Sequence, residues 1–271
     1  MSLGTSIFAQ TLVKHVLTQG DTLLIAALAS PIVQGSYALA SNYGGLLARL
    51  ILQPVEETSR SYFGKLLNDK ESRPSKEVVE TARDNLAAIL RAYVLASLVA
   101  VASGPSVAPY LLRLVAGSRW EASGAGAVLG TYCYYIPLLA INGVTESFVS
   151  AVAAKSEINS QSTWMLFFSA TFAASSFYFL AIKDLGAQGL VWANCINMSA
   201  RIIWSFGFIK RYFRRNGTKF GLVTLRPQPM TIAASFGAWS MFKMIEQGEF
   251  TDILKDVYFS VGIATAQAIA V

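Results

Sequence analysis

Residues 34–67 read QGSYALASNYGGLLARLILQPVEETSRSYFGKLL, and this stretch decides what kind of molecule the chain is. A bilayer-length apolar run carries Arg49 in its middle, then passes Pro54 into Glu56, Glu57 and Arg60. At about 100° per residue, Asn42, Arg49, Gln53, Glu56 and Arg60 fall within about one quarter of the helix circumference, with Glu57 beside them. An ionised side chain at mid-membrane costs about 2.5–3.5 kcal/mol on insertion scales, so a face of this kind is expected to look into a water-filled or ligand-filled interior. Pro54 removes an N–H and crowds the preceding turn, which predicts a kink near Leu50–Gln53 able to act as a hinge.

Working outward, composition points to the same class. The 271 residues are 54% hydrophobic and 14% charged, too apolar for a soluble domain and right for an integral membrane protein. The apolar run from Ile7 is interrupted by Lys14, His15 and Asp21. It lacks the cleavage pattern of a signal peptide, so the first helix is expected to stay in the mature protein. Cys133 and Cys195 lie in different predicted spans without a CxxC or a nearby histidine, and read as buried free thiols rather than a metal or redox site. The net charge of +6 sits at predicted helix ends, as membrane topology requires, which argues against nucleic acid as a partner.

The first span is expected over about Thr5–Ala29, where Gln10, Lys14, Thr18 and Asp21 form a second polar stripe. Alternatively Lys14 snorkels to one interface and Asp21 lies near the other. After the organising helix, Asn68–Asp84 reads as a solvated loop with an amphipathic portion. The third span covers about Asn85–Ala102 and is expected to break at Ser103, Gly104 and Pro105. Val107–Ala116 is too short to cross and reads as a short interfacial helix. A fourth span, Gly126–Ala153, has Pro137 as a kink and places Asn142 and Glu146 one turn apart on one face. The fifth, Trp164–Ile182, carries no charge and reads as a lipid-facing or packing helix. The sixth, Gly189–Phe208, carries Asn194, Asn197 and Arg201 at spacings of three and four. Met230–Ile245 and Tyr258–Val271 are short for spans unless extended by their polar neighbours.

The expectation is therefore an all-α, polytopic membrane helix bundle of about seven or eight spans. Residues 1–245 would form the bundle and 246–271 a final, truncated span with its preceding loop, because VGIATAQAIAV ends without polar residues. Arg60, Lys65, Lys70, Arg73, Lys76, Arg83, Lys155, Lys210, Arg211, Arg214, Arg215, Lys219 and Arg226 fall on one side of this arrangement. Only Arg113, Arg119, Lys183, Lys243 and Lys255 fall on the other. The positive-inside rule then puts the basic loops and the amino terminus in the cytosol.

Three blocks carry a resemblance. LTQGD at Leu17–Asp21, GSYALASNYGGLLARLILQPVEETSRSYF at Gly35–Phe63 and INGVTESFV at Ile141–Val149 are similar to the Rft (requiring fifty-three) family of endoplasmic-reticulum membrane proteins. The resemblance maps to the carboxy-terminal half of such a protein and leaves an amino-terminal bundle missing. It implies a MATE/MurJ-like bundle, one of two around a cavity that opens alternately to either side. The implied function is translocation of dolichol-diphosphate-linked oligosaccharide across the endoplasmic reticulum membrane for N-glycosylation. Such a substrate needs cations for its diphosphate, polar groups for its sugars and a lateral opening for its tail. Arg49 and Lys14 are the candidates for the phosphates, arginine because its planar fork binds oxygens bidentately. Asn42, Gln53, Asn142 and Asn194 are the candidates for sugar hydroxyls. Asp21, Glu56, Glu57, Arg60, Glu146 and Arg201 complete the substrate-facing set, and any coupling to ions would run through Asp21, Glu56, Glu57 or Glu146. A structural alternative pairs Arg49 with Glu56, Glu57 or Glu146 to hold helices together.

No GxxxxGK[ST] loop and no HExxH motif is present, and His15 is the single histidine. A catalytic role, a cofactor and a metal are therefore not expected. Two functions stay open: a lipid-linked oligosaccharide flippase half, and a non-transporting accessory protein that binds or presents the same lipid. A MATE-type drug exporter fits the arginine-bearing cavity face less well. Two sequons, Asn197-Met198-Ser199 inside the sixth span and Asn216-Gly217-Thr218 in the basic cluster, are both expected to carry no glycan.

Overall fold

The computed structural model describes residues 25–27, 29–67, 74–117 and 123–221, and further on 232, 233, 236, 237, 239, 240 and 244, with backbone alone at 47–49 and 155. Among these residues it is all-helical. Helix α1, Pro31–Leu47, runs through a π turn at Ala48–Leu52 into α2, Gln53–Leu67. Then follow α3, Lys76–Ala116, α4, Ala125–Val152, α5, Lys155–Phe177, a second π turn at Tyr178–Ile182, and α6, Gly186–Arg215. Among the described residues, three helices are long and apolar enough to cross a membrane: Lys76–Ala116, Ala125–Val152 and Ser156–Ile182. The first expected span reaches the described residues only at its end, Met230–Ile245 is described only at isolated positions, and Tyr258–Val271 lies outside them.

Where a kink is expected, at Leu50–Gln53, the helix carries the π turn, which closes just before Gln53-Pro54. Proline cannot donate to the carbonyl four residues back, and a wider turn absorbs the mismatch. The break expected at Ser103–Pro105 is absent. Helix α3 runs through both Pro105 and Pro109, so Val107–Ala116 is its last three turns and not a separate interfacial segment. The reason lies in α4, which faces the prolines with glycines. A Cβ on Gly130 would lie 3.0 Å from the Pro105 carbonyl oxygen, and one on Gly126 would lie 3.2 Å from Pro109 Cβ. Pro105 O is the carbonyl that Pro109 cannot satisfy, and the close approach of the Gly130 backbone gives it a Cα–H neighbour in place of an N–H. Helix α3 also starts earlier than expected. Ser75 caps it, accepting from the Val78 N–H at 3.4 Å, so the segment expected as a loop to Asp84 contributes its first turns. Gly117, at φ +83°, ends it by donating its N–H to the Arg113 carbonyl at 3.0 Å.

Helix α4 is the central element, packed against α1, α2, α3 and α6, while α5 packs on α6 and leaves Trp164, Leu166 and Phe167 exposed, as a lipid-facing helix would. Two apolar cores flank the middle of the bundle. At one end Phe63 and Leu67 of α2, Leu86 and Leu90 of α3, Phe148 of α4 and Ile209 and Phe213 of α6 pack together. Phe148 stacks on Phe213 at 5.3 Å between ring centroids, and Phe213 on Phe220 at 5.5 Å. At the other end Ala40, Val128, Tyr132, Tyr135, Val191 and Met198 pack. The end of α2, the start of α3 and the ends of α4 and α6 thus share the first core. This brings Arg60, Lys65, Lys76, Arg83 and the Lys210–Lys219 cations to one end of the bundle, with Arg113 and Lys183 at the other ends of their helices.

Candidate functional site

Between the two cores lies a polar layer built from four helices. Helix α4 supplies Asn142 and Glu146, one turn apart, with Gly143 between them on the side facing α2. Gly143 makes room for a carboxylate: a Cβ there would overlap Oε1 and Cδ of Glu56. Glu56 is half-buried in this notch and lies in electrostatic range of Glu146, Arg60 and Glu57. Helix α3 contributes Tyr93, whose buried hydroxyl lies in electrostatic range of Glu56 and has no hydrogen-bond partner among the described residues.

The strongest contact in the layer joins α4 to α6. Arg201 donates from Nε to Glu146 Oε1 at 3.0 Å and from Nη2 to Oε1 at 2.7 Å and Oε2 at 2.9 Å. The side chains retain 22% and 21% of their exposure, arginine first. This is the forked geometry for which guanidinium is suited, and phosphate oxygens can accept from the same fork. The layer holds two carboxylates, Glu56 and Glu146, and the guanidinium is engaged by one of them. Among the described residues, Asn142 Oδ1 and Asn197 Oδ1 are buried and have no hydrogen-bond partner, in residues each 4% exposed. Buried amide oxygens without partners are costly and mark places where water or a ligand hydroxyl is favoured.

The remaining sequence-predicted residues fall around this layer. Gln53, Glu57, Arg60 and Asn42 are exposed, so the polar stripe of the organising helix is open along α1 and α2. Gln53 donates to Glu57 Oε1 at 3.0 Å along that stripe. Asn194 sits apart, donating from Nδ2 to the Tyr37 hydroxyl at 2.8 Å and the Leu190 carbonyl at 3.1 Å, a tie between α6 and α1. Arg49 is placed by its backbone in the π turn, with its side chain outside the described residues, and Lys14 and Asp21 lie outside them altogether. Sequence reasoning missed Gly143 and Tyr93. The signal for the first is its position inside ING, between two residues already singled out; for Tyr93, in an apolar stretch, there is none.

The whole chain, residues 1–271, matches the family described as Rft protein. The chain belongs to the Rft protein family. Relatives agree: it is 38% identical over 218 residues to a Yarrowia lipolytica protein, 36% over 232 residues to one from Schizosaccharomyces pombe and 34% over 235 residues to one from Xenopus tropicalis. Each is named Man(5)GlcNAc(2)-PP-dolichol translocation protein RFT1. These matches cover 78%, 83% and 85% of this Rft chain but 32%, 41% and 43% of the relatives, so it spans about two fifths or less of their length. No solved structure matches it.

Proposed function

We propose that this Rft chain forms one helix bundle of a protein that moves a dolichol-diphosphate-linked oligosaccharide across the endoplasmic reticulum membrane, by alternating access of a polar cavity. The observation that carries the proposal is the polar layer of Glu56, Asn142, Glu146 and Arg201 between two apolar cores, continuous with the exposed stripe of Asn42, Gln53, Glu57 and Arg60. Lipid does not tolerate such a stripe, whereas a hydrated cavity between this bundle and the rest of the protein does. In this reading the diphosphate competes with Glu146 for Arg201, and Arg49 adds a second cation from the π turn. Glu146, once released, stands beside Glu56, and two carboxylates at close range favour uptake of a proton or return of the arginine. The substrate thereby couples its own binding to a rearrangement between α2, α4 and α6. Asn142, Asn197 and Gln53 meet sugar hydroxyls in this reading. The basic end of the bundle faces the cytosol.

The test is the pair of variants Arg49→Ala and Arg49→Lys in the full-length protein, scored for support of N-glycosylation in cells that depend on it. Alanine abolishes support while protein abundance in the membrane stays near normal, and lysine restores part of it, because a point charge replaces a bidentate fork. Loss of the alanine variant by degradation makes Arg49 a structural residue and removes it from the site.

A further inference from the structure

Four cations at the end of α6 have no role in the polar layer. Lys210, Arg211, Arg214 and Arg215 are all exposed. At about 100° per residue they fall within about 140° of the helix, in the order Lys210, Arg214, Arg211, Arg215. The opposite face is held in the core by Ile209 and Phe213. The chain then turns through Gly217 at φ +76°, the Thr218 N–H donates to the Phe213 carbonyl at 2.9 Å, and Phe220 is buried on Phe213. Lys219, exposed between buried Thr218 and Phe220, is thereby fixed beside the helix end. Lys210 with Arg214 and Arg211 with Arg215 are like charges one turn apart, an arrangement that repels. The negative end of the helix dipole accounts for cations in the last turn, not for Lys210 and Arg211 before it. Of these five cations, only Arg215 has an acidic partner among the described residues, Glu157 at 2.7 Å.

We propose that this basic face of α6, Lys210, Arg211, Arg214 and Lys219, binds the phosphate-bearing headgroups of anionic phospholipids in the adjoining leaflet. The depth fits. Helix α6 ends beside the start of the candidate membrane span Ser156–Ile182, where Arg215 meets Glu157. Its last turns therefore lie at headgroup level, where clustered Lys and Arg attract anionic lipid. The anchored turn holds the cations in place, so little ordering is lost on binding.

The test uses the purified full-length protein in phosphatidylcholine vesicles with and without phosphatidylserine, and with no lipid-linked oligosaccharide present. The readout is the phosphatidylserine retained relative to phosphatidylcholine after extraction, by native mass spectrometry. Wild type enriches phosphatidylserine, and high salt reduces the enrichment. Each cation replaced lowers it by up to about fivefold, so Lys210→Gln/Arg211→Gln/Arg214→Gln loses up to on the order of a hundredfold. Glu157→Gln frees Arg215 and raises retention, and decides the matter should the triple variant fail to fold. Equal retention of both lipids by wild type, no change in the folded triple variant, or no gain in Glu157→Gln overturns the proposal. Displacement of phosphatidylserine by a polyprenyl diphosphate at equal concentration assigns the face to that lipid instead.

Discussion

Replacing the two partners of the Glu146–Arg201 pair separately should give unequal losses, and the inequality tests how charge is arranged in the polar layer. Breaking a fully buried pair costs about 3–5 kcal/mol because the remaining charge has no partner. Here about one fifth of each side chain is exposed, and Glu56 stands nearby. Arg201→Gln leaves Glu146 without its cation while Glu56 still repels it, so its cost is set near the lower bound, about 3 kcal/mol. Glu146→Gln keeps an amide oxygen that can accept from Arg201 and removes the charge that repels Glu56, so about 1 kcal/mol is expected. Adding Glu56→Gln to Arg201→Gln should recover part of the loss, since the repulsion is then gone. The assay is reversible unfolding of the full-length protein in mixed micelles by denaturing detergent, followed by tryptophan fluorescence. Equal losses for the two single variants, or a Glu56→Gln/Arg201→Gln loss that is the plain sum of its parts, would refute the charge arrangement.

Other outcomes follow from single contacts. Gly143→Ala puts a methyl group onto the Glu56 carboxylate, and should cost about 1–3 kcal/mol; Glu56→Ala in the same chain should suppress most of this, as read by the same unfolding assay. Phe213→Ala, at the centre of the Phe148–Phe213–Phe220 stack, should cost about 3–5 kcal/mol and release Phe220, seen as proteolytic cleavage after the turn. Asn216 should carry no glycan: its Nδ2 donates to the Tyr212 carbonyl at 2.9 Å, Thr218 is 5% exposed, and the proposed topology puts the basic end in the cytosol. A gel shift removed by endoglycosidase and by Asn216→Gln would invert that topology.

The middle of the chain was the more legible part because its signals are local. The helices α4 and α6, the polar face of the organising helix and the distortion before Pro54 all follow from periodicity or from proline's missing N–H. Ser103-Gly104-Pro105 misled for a physical reason: whether a helix continues through proline depends on what packs against it. Here Gly126 and Gly130 of α4, distant in sequence, lie close against Pro109 and Pro105. Asn142, Glu146 and Arg201 were each recognisable as intramembrane polar residues, but that Glu146 pairs with Arg201, 55 residues away, is a tertiary fact that no periodicity encodes. The seat of Glu56 on Gly143 is of the same kind, since a glycine in an apolar helix gives no sign of what enters its notch.

The measurement that bears most directly on the central claim is leaflet exchange of a lipid-linked oligosaccharide in vesicles reconstituted with the full-length protein, wild type beside Arg201→Ala. The account predicts exchange well above protein-free vesicles for wild type and a loss of at least tenfold for the variant at equal incorporation, a factor of ten being about 1.4 kcal/mol of lost stabilisation. Exchange by wild type no faster than in empty vesicles would contradict it, and would leave a protein that binds or presents this lipid without moving it.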